Sequence, residues 1–309
     1  MSFASRIQTN WLLLRVSLGV IRNSPRLLLF PLVSVLCTLV IAAIFLVPVL
    51  LAFHPAHPWS SGAGDAFMAE LKQFIRDSGR LRYAYVGLIY LASAFLATFF
   101  NVALYHEIMS ALAGGRVSLG RGLSFALRRL RAIALWSLAA VTVGLVIRML
   151  QEKVGWAGRL VLGTIGLGWS VAAVFAIPVI IRQEESNPFV VLRNSADALK
   201  KTWGESLVAY VGIQLGGLMI LGVVALSAFV MAFEVAGQMA GFGHFFTGKL
   251  VVLTALTEFA LVVVTGFLLI LVQHIYRCAL YVYASEGVVP EPFTLELMNA
   301  GWKVKGAGK

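Results

Sequence analysis

From Leu27 to Phe53 the chain reads "LLLFPLVSVLCTLVIAAIFLVPVLLAF", with no Asp, Glu, Lys, Arg or His. A stretch of that length and composition cannot sit on the surface of a water-soluble domain, and it is long enough for a helix to cross a ~30 Å hydrocarbon core. Comparable runs recur at about 83–109, 132–150, 156–182, 205–233 and 250–284, so six spans are predicted. Composition agrees: 60% of residues are hydrophobic and 13% charged, with mean hydropathy +0.88, against about 25% charged in soluble proteins. The fold class expected is all-α, a polytopic transmembrane bundle forming one membrane domain over residues 1–309, with 285–309 as a short cytoplasmic tail.

Charge sets the orientation. With a cytoplasmic N-terminus, 17 of the 25 Lys and Arg residues fall on the cytoplasmic side and 8 on the other. The positive-inside rule then places both termini in the cytoplasm. The net charge of +11 flanks spans and does not gather in one solvated domain. An anionic membrane surface is therefore the expected counter-charge, and nucleic acid is not. The first 26 residues interleave Arg6, Arg15, Arg22 and Arg26 with apolar positions, unlike a cleavable signal. Cys37 and Cys278 both fall in predicted spans as small buried hydrophobes, without a disulfide framework.

Between the spans lie basic segments of helical period. In "VLRNSADALKKTWGESL", residues 191–207, the positions Phe189, Leu192, Ala196, Leu199 and Trp203 step by three and four, with Arg193, Lys200 and Lys201 between them. Ile7, Trp11, Leu14, Leu18 and Ile21 step likewise. Leu14-Arg15-x-Ser17 matches Leu192-Arg193-x-Ser195, and Arg22 corresponds to Lys200. A looser third copy runs through Arg121, Leu127, Arg128 and Arg129. Asn187-Pro188 reads as a helix cap followed by a first-turn proline, and Ser118 as the cap of the middle helix. Three units follow, 1–109, 117–182 and 187–284. Each is an interfacial amphipathic helix preceding span 1, 3 or 5, then a transmembrane hairpin. The cations Arg15, Arg22, Arg121, Arg128, Arg129, Arg193, Lys200 and Lys201 would meet anionic lipid headgroups or a protein partner at the cytoplasmic face.

"LLLFPL" at 27–32, "LRRLRAIALWSLAAVTVGLVIR" at 127–148, "GWSVAAVFAIPVII" at 168–181 and "LRNSADALKKTWGE" at 192–205 resemble an uncharacterised family of prokaryotic six-span integral membrane proteins. In outline the chain is also similar to the membrane domain attached to some glycerophosphodiester phosphodiesterases, without their catalytic domain. The resemblance implies the topology and no substrate.

Ionisable groups inside spans are costly and mark candidate sites. Glu258 lies roughly 12 Å in from the outer end of the last span at 1.5 Å per residue, and Arg148 near the outer end of span 3 is a candidate partner. Towards the cytoplasmic ends, Asn101, His106 and Glu107 of span 2 and Gln273, His274 and Arg277 of span 6 form a second group, with Glu107–Arg277 a plausible pair. Gln214, between Gly212 and Gly216, lies in a small-x-x-x-small packing motif. Gly163, Gly166 and Gly168 read as packing glycines.

No catalytic motif, cofactor loop or metal set is evident. Ser170 and His274 differ in depth by roughly 15 Å along the normal, too far for a nucleophile and its base. His54, His57 and His244 read as loop histidines. A lipid-associated, non-enzymatic membrane protein is the reading expected. A transporter or channel using Glu258, Arg148, Gln214, His106 and His274 is the alternative, and an intramembrane hydrolase a distant third.

Overall fold

The computed structural model describes residues 3–52, 79–201, 222, 225–229, 232 and 248–295. Its regular structure, among these residues, is entirely helical. The helices are α1 (Phe3–Asn23), a 3-10 turn (Pro25–Leu28), α2 (Leu29–Ala52), α3 (Gly79–Leu112), α4 (Leu119–Arg128), α5 (Leu130–Lys153), α6 (Trp156–Ala172), α7 (Ala176–Arg182), α8 (Pro188–Lys201) and α9 (Gly248–Glu286). Five stretches among them are long and apolar enough to cross a membrane: Pro25–Val47, Tyr85–Leu112, Leu130–Lys153, Trp156–Arg182 and Leu256–Glu286. The span expected at 205–233 and the surface helix expected at Asp65–Asp77 fall mostly or wholly outside the described residues, as do His54, His57, Gln214 and His244.

Packing divides the chain into two compact units that do not follow sequence order. The first comprises Met1–Leu28, Glu107–Val117 and Ala196–Lys309, and the second Leu29–His106 and Ser118–Ser195. A helix such as α3 contributes its two ends to different packing groups.

In the first unit α1 packs on α9. Burial in α9 begins at Leu269 and continues through Leu271, Val272, Ile275, Tyr276 and Cys278 to Tyr283, whereas Leu253, Leu256, Phe259 and Val264 nearer its start are exposed. In the second unit α5 and α6 form an antiparallel hairpin turning at Val154–Gly155. The rings of Trp136 and Trp169 stack there at 6.2 Å, and the Gly166 Cα faces Ile147. A Cβ on Gly163 or Gly168 would meet nothing within 4 Å among the described residues. Along α2, Leu32, Val35, Leu36, Leu39, Val40 and Ile44 are exposed. Apolar side chains displayed in that number suit contact with lipid and not with water.

The stretch Trp156–Arg182 is not one helix. Pro178 has no N–H, and its ring excludes the carbonyl four residues back, that of Val174. Tight turns fill the gap, with Val174 N donating to Val171 O and Ala176 N to Ala173 O. The Phe175 N–H, which these turns leave over, donates to the Ser195 hydroxyl at 3.0 Å, and Ser195 donates in turn to the Ala172 carbonyl. A side chain of α8 thus closes the break between α6 and α7.

Candidate functional site

The basic helices set the frame. Along α1 the buried positions are Leu13, Ser17, Val20 and Ile21, and along α8 they are Val191, Ser195, Ala198 and Leu199. Arg15 and Arg22 are exposed on the first and Arg193 and Lys200 on the second. The two helices therefore share a burial register at positions 178 residues apart, the offset implied by Ser17 and Ser195. The face turned into the protein is displaced from the apolar face expected. Trp11 and Phe189, assigned to that face by their spacing, are 61% and 73% exposed, leaving an aromatic ring on the outside of each helix. The third copy does not keep the register: Leu127, expected to match Ile21 and Leu199, is 56% exposed, and Gly122 and Ala126 are the buried positions of α4.

Local start signals act as the sequence indicates for α8. Asn187 Oδ1 accepts the Phe189 N–H at 3.0 Å, Pro188 opens the helix, and Glu185 Oε1 accepts the N–H groups of Ser186 and Asn187, each at 2.8 Å. Ser118 occupies the cap position of α4 with extended backbone but makes no side-chain cap bond.

In the second unit, aromatic and charged groups from α3, α4 and the loop after α7 form a stack. The His106 imidazole lies on the Phe125 ring at 4.0 Å between centroids. The Arg129 guanidinium lies over the same ring at 5.4 Å and pairs with Glu184. Cation–π placement of this kind favours arginine. Glu184 adopts φ 55°, a left-handed conformation uncommon for a non-glycine residue. Arg129, one of the cations expected to meet lipid headgroups or a partner, has a side chain 15% exposed, and its pair with Glu184 ties α4 to the loop after α7. Beside it a cavity of about 530 Å³ is lined by Arg131, Leu135 and Glu184 through Phe189. Arg128, its neighbour, is exposed.

In the first unit a larger cavity of about 630 Å³ is bounded by Val20, Asn23, Ser24, Pro25 and Arg26, by Ala111 and Gly114 to Val117, and by Glu291 and Pro292. Sequence reasoning missed this site, since its charged members Arg26, Arg116 and Glu291 come from three distant segments. Its wall is a helix-end motif of defined geometry. Gly114, at φ 76°, donates to Ala111 O at 3.0 Å, and Gly115 donates to Ser110 O at 2.8 Å. That is the paired 5→2 and 6→1 arrangement of a Schellman C-cap. Arg26 reaches across to the Val117 carbonyl at 3.5 Å.

The remaining candidates distribute as follows. Glu107 is fully buried and belongs to the same unit as Gln273, His274 and Arg277, which are half-buried on α9. Asn101 is half-buried on α3 in the other unit. The Glu258 carboxylate accepts the Ser227 hydroxyl at 2.9 Å. Arg148 pairs with Glu152 one turn along its own helix at 3.7 Å, both exposed. Arg121 and Lys201 are exposed, and Lys200 pairs with Asp197 at 3.0 Å. Ser170 donates to Gly166 O. No group of three His, Cys, Asp or Glu side chains with metal-holding geometry occurs among the described residues.

The class defined by these features is a chain that is all-helical among its described residues, with helices that by length and composition suit several membrane crossings. Residues 81–290 match the model of a family of unknown function, DUF6159, and the chain belongs to that family. No curated protein and no solved structure matches it, so the outline likeness to glycerophosphodiester phosphodiesterases finds no support.

Proposed function

We propose that this is a non-enzymatic, six-span protein of the cytoplasmic membrane that holds phospholipid headgroups at its cytoplasmic face, in membrane organisation or in support of a partner complex. The observation that carries the reading is the shared register of α1 and α8. Each buries one stripe against protein, turns Arg15 and Arg22 or Arg193 and Lys200 outward, and exposes an aromatic ring, Trp11 or Phe189. Basic and aromatic groups displayed together on a helix flanking a span suit the headgroup layer.

Six crossings with both termini on one side draw support from the larger cavity. Its lining comes from the start of the first span (Pro25, Arg26), the end of the second (Ala111) and Glu291, five residues past the last. One cavity can draw on all three only if the first span begins and the last span ends at the same face, which requires an even number of crossings. Five candidate spans occur among the described residues, and the apolar run at 205–233 makes the sixth.

A transport pathway would be favoured by helices broken at a polar site. The break at 173–175 is of another kind, because Ser195 bonds the Phe175 N–H and the Ala172 carbonyl there.

The test is lipid retention. Neutralising Arg15, Arg22, Arg128, Lys200 and Lys201 to Gln should lower the phosphatidylglycerol carried through detergent extraction, measured by mass spectrometry, while the protein stays monodisperse. Unchanged retention would sink the reading. Loss of ion flux through proteoliposomes in Glu258→Gln would replace it with transport.

A further inference from the structure

The cavity of the first unit carries both signs of charge. Arg26 and Arg116 line it with Glu291 opposite in sign. Two helices also end there, α1 at Asn23 and α3 at Leu112, and helix C-termini carry partial negative charge that favours a cation. A purely anionic ligand would meet the two guanidinium groups but gain nothing from Glu291 or the helix ends. A ligand with a phosphate and a primary ammonium a few bonds apart would use every charged feature. Guanidinium groups suit phosphate oxygens through several N–H donors. A carboxylate suits an ammonium, and the lining also includes the polar Asn23 and Ser24.

Depth selects among zwitterions. The lining residues stand at the ends of three candidate spans, where headgroups lie. Leu28, two residues past Arg26, is exposed, so apolar surface for an acyl chain begins beside the cavity. A volume of about 630 Å³ falls within the roughly 300–1,000 Å³ of small-molecule pockets. The wall is also fixed in shape. Gly114 holds a left-handed conformation, and a Cβ on Gly115 would come within 2.6 Å of Ser110 Oγ and 2.9 Å of its carbonyl oxygen.

We propose that this cavity is a specific site for the headgroup of an aminophospholipid, with phosphate held by Arg26 and Arg116 and the primary ammonium by Glu291. It rests on the lipid-binding reading above but names a different set of residues, so the two fail separately.

The test titrates purified full-length protein in detergent with short-chain phosphatidylethanolamine, phosphatidylglycerol and phosphatidylcholine, reading bound lipid by native mass spectrometry. Phosphatidylethanolamine should bind most tightly, since the choline group cannot donate a hydrogen bond to Glu291. Glu291→Gln should weaken it by about tenfold, the effect of losing one charge-assisted hydrogen bond, and bring it level with phosphatidylcholine. Arg26→Ala with Arg116→Ala should weaken all three lipids. Glu291 and both arginines are exposed, and a Glu291→Asp variant that restores the preference separates recognition from misfolding. Lys200→Gln with Lys201→Gln should leave the preference intact. Equal binding of the three lipids, a preference for phosphatidylglycerol, or an unchanged preference in Glu291→Gln would overturn the proposal.

Discussion

The Ser195 hydroxyl accepts the backbone N–H of Phe175 at 3.0 Å and donates to the carbonyl of Ala172, so one side chain bridges both edges of a broken helix. Ser17 occupies the corresponding position of α1, equally buried, yet its hydroxyl has no hydrogen-bond partner among the described residues. Two serines in one register thus have opposite energetic roles.

Alanine substitution separates them. Ser195→Ala removes the hydroxyl that accepts the buried Phe175 N–H and donates to the Ala172 carbonyl, which costs about 1–3 kcal/mol, and should lower the melting temperature in detergent by several degrees. Ser17→Ala removes a buried hydroxyl that gains nothing from the protein, so it should be neutral or slightly stabilising. Thermal unfolding followed by thiol exposure is a suitable readout, since the Cys278 thiol is buried and in no disulfide. Equal losses in both variants would refute the distinction.

Arg128 and Arg129 are adjacent, and their environments differ as sharply. Arg129→Gln loses the stack on Phe125 and the pair with the mostly exposed Glu184, together about 1 kcal/mol after allowance for solvent screening. Arg128→Gln should leave stability unchanged. Arg129→Lys should behave nearer to Gln than to wild type, because an ammonium lacks the planar face that lies on the ring. Melting curves of the three variants check the order.

How much of this was legible in the sequence depends on the range of the determinant. The spans beginning near Leu27, Tyr85, Leu130, Trp156 and Leu256 were legible because each is written in its own composition. The start of α8 was legible because Asn187 and Pro188 act within one turn. The burial register of α1 and α8 was half legible: the 3–4 period showed two helices, but a helix touching protein on one side and lipid on another has two apolar stripes. Periodicity alone does not say which residues of the apolar set turn toward protein, and Trp11 and Phe189 are exposed members of it. The break at 173–175 was hidden, because the group that makes it tolerable belongs to a residue twenty positions downstream. The cavity around Arg26, Arg116 and Glu291 was hidden for the same reason, with tertiary closure as its only cause.

Two glycines, Gly115 just past the end of α3 and Gly120 in α4, offer a stability test with opposite signs. Gly115→Ala places a methyl against the Ser110 carbonyl and should disrupt the cap that joins α3 to the following loop, with loss of at least about 1 kcal/mol. Gly120→Ala, in open space within α4, should stabilise by about 0.5–1 kcal/mol through helix propensity. If Gly115→Ala melts at or above wild type, the C-cap does not constrain the cavity wall as described.

Topology makes the last prediction, and it follows from residues of one cavity. Asn23 precedes the first span, and Glu291 follows the last, yet both line the same space. Gly155 marks the turn between α5 and α6, one crossing away from the face where the third candidate span begins at Leu130. In a background with Cys37→Ala and Cys278→Ala, single cysteines at Asn23, Gly155 and Glu291 should therefore split two against one. A membrane-impermeant maleimide should label the Asn23 and Glu291 positions only in inverted vesicles, and the Gly155 position only in intact cells or right-side-out vesicles. All three positions are exposed, so failure to react reflects sidedness and not burial. Labelling of the Asn23 and Glu291 positions from opposite sides would require an odd number of crossings and would remove the basis for both the six-span topology and the shared cavity.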